Sequence, residues 1–282
     1  MTKTRKHQIK RGASLLLGFA ALAALGSNAW AGVNIRAHRA VYDLKLERSS
    51  EGSNVSGADG RMVMELTGSA CDGWSTSFRR VMELRPNEGE TQLFDNQVAS
   101  WESGDGLSLQ LNDKQFINNR LESETKLKAD MESDRSKGGK GSINLPKPEE
   151  FELPSGALFP MAHQIHIMQA AERGETRDVS IFFDGASGSK VYKVISFIGK
   201  RKEPGADATA DKALKDMPSW PLSVTFYEYK PDQMTSEELP SYQMSFPIYE
   251  NGVAGTLSID YGDYVLSGKL TSLELLHQPA CN

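Results

Sequence analysis

The residues with chemistry to offer are few and far apart. Cys71 and Cys281 are the only cysteines among 282 residues. In an oxidising compartment they can pair, tying an early strand to the penultimate residue. Loop-closure entropy for so long a loop gives about 5 kcal/mol as an upper figure. Otherwise they are two free thiols. Bridged, neither is a nucleophile, because attack requires the thiolate. His163 and His166 stand three apart, which places both rings on one side of a helix and is compatible with metal ligation. No third ligand is recognisable near them, since Glu175 and Asp178 lie beyond the helix, so an interfacial role is favoured over a metal site. Gly185-Ala186-Ser187-Gly188-Ser189-Lys190 superficially looks like a phosphate cradle. It joins two strands instead of opening a helix, and it reads as a turn. The chain has no Gly-x-Ser-x-Gly elbow, no His-Glu-x-x-His and no Walker sequence. The expectation is a protein that is not an enzyme, with no metal and no cofactor. The rival enzymatic expectation is a hydrolase built from His163 or His166 and a distant carboxylate.

Compartment and charge follow from the N-terminus. Lys3, Arg5, Lys6, Lys10 and Arg11 precede an apolar run from Ala13 to Leu25 that is short for a bilayer span. Ala29-Trp30-Ala31 then supplies a cleavage site, so residues 1–31 read as a secretory signal peptide and 32–282 as a single mature domain. No cysteine follows the apolar run, so no lipid anchor is expected and the expected location is the periplasm. The full chain carries a formal charge of −5, and loss of five basic and no acidic residues takes the mature part to −10. That surplus argues against nucleic acid or anionic headgroup surfaces as partners. No later segment is apolar enough for an integral membrane helix, and the polar end from His277 to Asn282 argues against an outer-membrane barrel.

The elements that must position these residues are strands. Period-two alternation runs through 40–46, 61–66, 74–84, 91–101, 107–117 and 120–131. It resumes at 178–183, 191–198, 222–229, 242–249, 253–260 and 264–276, roughly a dozen strands in all. Gly104-Asp105-Gly106, Asn118-Asn119, Asn251-Gly252 and Gly262-Asp263 are hairpin turns, so neighbours run antiparallel. The spacing predicts one helix after Pro160, ending before Gly174, with Phe159, Ala162, Ile165 and Met168 as an apolar stripe. Such a helix covers a sheet edge or plugs one mouth of a curled sheet. Residues 134–141 and 201–216 read as mobile, the second as an insertion more than as a flap.

The fold class is therefore all-β: one antiparallel meander that can hide its hydrophobic face only by curling, closing or folding over a second sheet, with one amphipathic helix. Inward rings of such a sheet either fill a solid core or line an apolar cavity. Both remain open from sequence. For a cavity, the expected lining is Phe159, Ile165 and Met168 of the helix region, with Trp101, Phe183 and Phe226 from the strands. The partner would be a lipid or other amphipathic envelope molecule. The alternative is a scaffold that docks a periplasmic protein partner or peptidoglycan.

Several short stretches, in this order and spacing, give the chain a resemblance to a known family. They are His38-Arg39-Ala40-Val41-Tyr42-Asp43-Leu44, Gly60 to Met64 and Cys71-Asp72-Gly73-Trp74. Leu153-Pro154-Ser155-Gly156-Ala157-Leu158-Phe159-Pro160 with His163, then Phe183-Asp184-Gly185 and the near-terminal Cys281, complete the set. Across about 36–282 the chain resembles the EipB-like envelope integrity proteins of alphaproteobacteria. The resemblance implies a periplasmic protein whose long antiparallel sheet is wound into a β-spiral or broken barrel, with one amphipathic helix covering or plugging an opening, and one disulfide, which carries over to Cys71 and Cys281. It also implies a role in maintaining the cell envelope under stress, with no catalytic residues to transfer.

Overall fold

A computed structural model describes residues 33–207, 211–231, 239–278 and 281. The expected leader, 1–31, lies outside the described residues, which all belong to one folding unit, Val33–Asn282. Eight strands come first: β1 (His38–Ser49), β2 (Val55–Ser69), β3 (Gly73–Pro86), β4 (Gln92–Glu102), β5 (Ser108–Ile117), β6 (Arg120–Met131), β7 (Gly139–Leu145) and β8 (Glu149–Leu153). After β9 (Ala157–Leu158) and helix α1 (Pro160–Glu172) come β10 (Arg177–Phe182), β11 (Tyr192–Ile198), β12 (Ser219–Glu228), β13 (Tyr242–Tyr249), β14 (Leu257–Asp260) and β15 (Tyr264–Leu275).

All fifteen strands join one sheet in the order β8-β7-β6-β5-β4-β3-β2-β1-β15-β14-β13-β12-β11-β10-β9. The chain thus winds outward from β1 to β8, crosses to the far edge, and winds back to β15 against β1. Neighbours are antiparallel except β9 and β10, which run parallel with α1 as their crossover. Hairpin chemistry sets the registers. At the β5–β6 turn Asn118 and Asn119 hold φ of 51° and 63°, the pair of left-handed values that a two-residue turn needs.

β8 and β9 are not hydrogen-bonded to each other, so the sheet is a nearly closed barrel with a seam. Side chains seal it. Leu127, Ile143 and Leu153 from one edge pack with Ala157, Phe159, Phe183 and Val191 from the other. The Phe183 ring centre lies 5.4 Å from that of Phe151 and 6.2 Å from that of Phe159. The 183–191 turn reaches over the same gap, where Ser189 Oγ donates to Glu149 Oε1 at 3.1 Å. Cys71, in the β2–β3 turn, is disulfide-bonded to Cys281, with Cα atoms 5.7 Å apart.

Three local expectations differ from the structure. Residues 134–141, expected to be mobile, hold a helical turn (Arg135–Lys137) and the start of β7. The described parts of 201–216 are anchored: Leu214 is fully buried against Tyr249 and Val253, and Lys202 bridges to Ser219. Helix α1 buries Met161, His163, Ile167, Met168, Ala170 and Ala171, while Ala162 and Ile165 of the expected stripe are only half-buried. Because α1 sits in the mouth of the barrel, its small and polar residues are enclosed along with its apolar ones.

Two stability predictions follow from the closure. Reducing the Cys71–Cys281 bond, or replacing both cysteines with serine, lowers the unfolding free energy by about 2–5 kcal/mol in denaturant titrations. Phe183→Ala in the seam costs about 3–5 kcal/mol. Phe197→Ala, whose ring is 54% exposed, changes it by no more than about 0.5 kcal/mol.

Candidate functional site

Strand alternation decides which side chains enter the barrel. Trp74 of β3 joins the core beneath α1, so Thr76, Phe78, Arg80 and Met82 also face inward. Their cross-strand partners extend these rows. Met64, Phe78, Val98 and Asp113 form one tier across β2–β5; Met62, Arg80, Asn96 and Gln115 form the next. On the other half, Trp220, Leu222, Val224 and Phe226 pair with Ile248, Phe246, Met244 and Tyr242. Near α1 this interior is packed with buried apolar side chains. Farther down, Met64, Phe78, Val98, Tyr242, Met244 and Phe246 are only half-buried although they point inward.

Aromatic rings line one wall from the helix to the opposite mouth. His163 meets Phe182 at 5.1 Å between ring centres, and Phe182 meets Phe226 at 5.6 Å. Phe226 stacks on Tyr242 at 4.3 Å, Tyr242 reaches Tyr261 at 6.3 Å, and Tyr261 stacks on Tyr264 at 5.0 Å. The line runs from His163 through Phe182 and Phe226 to three phenols, so hydroxyl groups gather at the end far from the helix.

The plug is held by a carboxylate from the wall. The N-cap residue of α1, Phe159, has no side-chain acceptor to offer. Glu102, at the end of β4, supplies one: its Oε2 accepts from Met161 N at 2.8 Å and its Oε1 from Ala162 N at 2.7 Å. Both donors are helix-end amides that would otherwise be unsatisfied. Glu102 is 3% exposed, and burial pushes its pKa up to about 7 against the pull of the two amides and Arg135. Arg135 ties the neighbouring turn down by donating to Ala157 O and Gly106 O at 2.9 and 2.8 Å. A cavity of about 230 Å³ lies here, lined by Trp74, Glu102, Arg135, Ile165, His166 and Gln169 among others.

The two histidines do not share a site. His163 is 6% exposed with Nε2 unpartnered, and burial lowers its pKa to about 4. His166 is half-buried with Nε2 2.9 Å from Asp178 Oδ1, and that carboxylate raises its pKa. For Asp178 itself burial would act upward, but hydrogen bonds from His166 and Ser180 carry its pKa below the usual range. Ser180 Oγ donates to Asp178 Oδ2 at 2.6 Å. The serine therefore bonds the aspartate and not the imidazole, which is not the order a nucleophilic relay requires. Among the described residues no three His, Cys, Asp or Glu side chains are placed to hold a metal ion.

The residues expected to line a cavity fall into three places. Phe159 and Phe183 are fully buried in the seam. Ile165, Met168 and Phe226 belong to the core beneath and around α1, Met168 and Phe226 deep in it and Ile165 at its edge. Trp101 pairs with Ser75, one residue from inward Trp74 and Glu102, and so faces outward. It borders a groove of about 610 Å³ on the outer face with Thr67, Ser75, Gln110 and Lys128. Sequence reasoning missed Glu102 and Arg80, both charged and both inward; the one available signal was their phase relative to Trp74.

Residues 29–277 match the model of the EipB-like family. A curated relative, the cell envelope integrity protein EipB of Brucella abortus (strain 2308), is 33% identical over 262 residues, 92% of this chain and 89% of the relative. A crystal structure of a beta-barrel-like protein of a domain of unknown function, also from Brucella abortus, aligns with a TM-score of 0.78 at 29% identity. The alignment covers 87% of this chain and 100% of that one.

His163 makes stability depend on pH. Its folded pKa lies below the unfolded value of 6.5, so its contribution is complete above pH 6.5 and is lost as pH falls toward 4. His38, also buried with a lowered pKa, acts in the same direction. Urea titrations between pH 7 and 4 should show a loss on the order of 3 kcal/mol from His163. His163→Leu should remove that share and leave the share from His38.

Proposed function

The chain belongs to the EipB-like family, and on that premise we propose that it is a periplasmic, non-enzymatic protein that supports cell envelope integrity by holding an apolar or amphipathic envelope component against the inner face of its sheet. In this proposal residues 1–31 are the export signal and 32–282 the mature protein. One observation carries the binding role: Met64, Phe78, Val98, Met244 and Phe246 face inward yet stay half-buried. Side chains that merely filled the interior would be covered as fully as Leu44 at 1% or Val224 at 4%. A guest that covers this surface gains about 0.8 kcal/mol per buried methylene. The name of the Brucella abortus relative supports the cellular role.

The outer groove beside Trp101 favours a second role, docking of a periplasmic protein partner or peptidoglycan. Native mass spectrometry of protein purified from the exporting cell, followed by displacement of a fluorescent fatty acid, separates the two. Under the binding proposal an amphiphile co-purifies. Met64→Trp, which fills the interior, then weakens fatty acid binding about tenfold or more, while Trp101→Ala leaves it unchanged. No bound amphiphile, together with no fatty acid binding by the wild-type protein, overturns the proposal. Crosslinking through position 101 then tests docking.

A further inference from the structure

Arginines on the first three strands follow a rule with one exception. Arg39, Arg48, Arg61, Arg79 and Arg85 point outward, and each meets a carboxylate. Arg80 follows Arg79 in β3 and so points inward, with Met62 and Asn96 as its cross-strand neighbours. Among the described residues it forms no ion pair. One guanidinium nitrogen, Nη1, donates to Tyr261 Oη at 3.1 Å, and the buried Nε has no hydrogen-bond partner. The acids of this region make no ion pair with Arg80, although Asp113 is near enough to feel its charge. Asp113 accepts from Asn96 Nδ2 at 2.6 Å and from Gln115 Nε2 at 3.4 Å, and Asp184 Oδ1 accepts from Ala186 N at 3.0 Å. Burial raises the pKa of both, while the Arg80 charge pulls that of Asp113 the other way, so Arg80 has a neighbouring acid but no paired one. An inward guanidinium of this kind is costly unless something pairs with it.

The surroundings give the missing partner a direction. Phe78 lies two residues from Arg80 toward α1, in the same half-buried tier as Met64, with Met244 and Phe246 on the other half of the barrel. Tyr261 and Tyr264 lie on the other side, packed with Met82 two residues beyond Arg80. The geometry points to Arg80 as the headgroup anchor of an anionic amphiphile, a carboxylate or phosphate borne on an acyl chain that lies along Phe78, Met64, Met244 and Phe246. This rests on the binding role proposed above and adds the charge of the guest and the place of its head. Guanidinium donors meet carboxylate and phosphate oxygens in a paired geometry that neutral or cationic headgroups cannot offer.

The test uses the full mature protein and four submicellar probes with twelve-carbon chains: laurate, dodecyl phosphate, monolaurin and dodecyltrimethylammonium. Calorimetry on the wild type should give laurate or dodecyl phosphate an affinity about tenfold or more above the other two. Which anion binds tighter distinguishes a carboxylate head from a phosphate head. Arg80→Gln should abolish that preference and leave monolaurin within about twofold, whereas Arg80→Lys should retain part of it. Unchanged anion affinity in Arg80→Gln, or monolaurin bound as tightly as laurate by the wild type, overturns the headgroup role and leaves amphiphile binding standing. Failure of all four probes on the wild type overturns both. If Arg80→Gln does not fold by circular dichroism, the wild-type ranking together with Arg80→Lys decides.

Discussion

The architecture depends on the ladder between β1 and β15. Strands β1–β8 form one continuous run of hairpins and β10–β15 another, with β9 joined to β10 in parallel, and among the described residues the strands of the two halves are paired only at His38–Ser49 against Tyr264–Leu275. Elsewhere the halves touch mainly through side chains, in the core around α1 and along the seam, with Arg36 N donating to Asn251 O at 2.9 Å besides. Strand pairing at the centre thus fixes the barrel's diameter, and packing at the rim closes it. The disulfide sits beside the centre, holding the β2–β3 turn to the tail that follows β15. It reinforces the junction that already carries the greatest structural consequence.

This division explains why the seam is built from Phe151, Phe159 and Phe183. A sheet that ends in two unpaired edges must hide them or risk pairing with another chain. Here β9 is two residues long, and the exposed run of β8 is rich in glutamate. The gap between them is filled by rings whose shape, unlike a hydrogen-bond ladder, tolerates imperfect register. Glycine makes room for one of them: a Cβ at Gly141 would lie 2.1 Å from the Phe151 ring. A residue that looks like loop punctuation in the sequence is there so that an aromatic can lie flat across β7.

That position shows where sequence legibility ends. Long strands such as β1 and β3 were readable because alternation persists for a dozen residues and their turns carry glycine or asparagine. β7, β8 and β9 were not, because Gly139, Lys140 and Gly141 dilute the period and two residues show no period at all. The helix was readable in extent from Pro160 and Gly174, but its buried face was not. A stripe drawn through apolar residues alone passes over His163, Ala170 and Ala171, which are enclosed. The same limit applies to the site. Trp101 attracts notice as an aromatic and faces out, while its neighbour Glu102 faces in and fastens the plug. Phase along the strand, and not residue type, separates them. Arg79 and Arg80 are identical in composition and opposite in address for the same reason.

The strand order also dictates a timetable. As the polypeptide emerges from its N-terminus, β2 can fold back on β1 at once, yet the other side of β1 stays bare until residues 264–275 have been made. More than two hundred residues separate the two strands that must pair. Contacts so distant in sequence are slow to form. The nascent protein must therefore pass through a long interval in which one margin of β1 is unpaired.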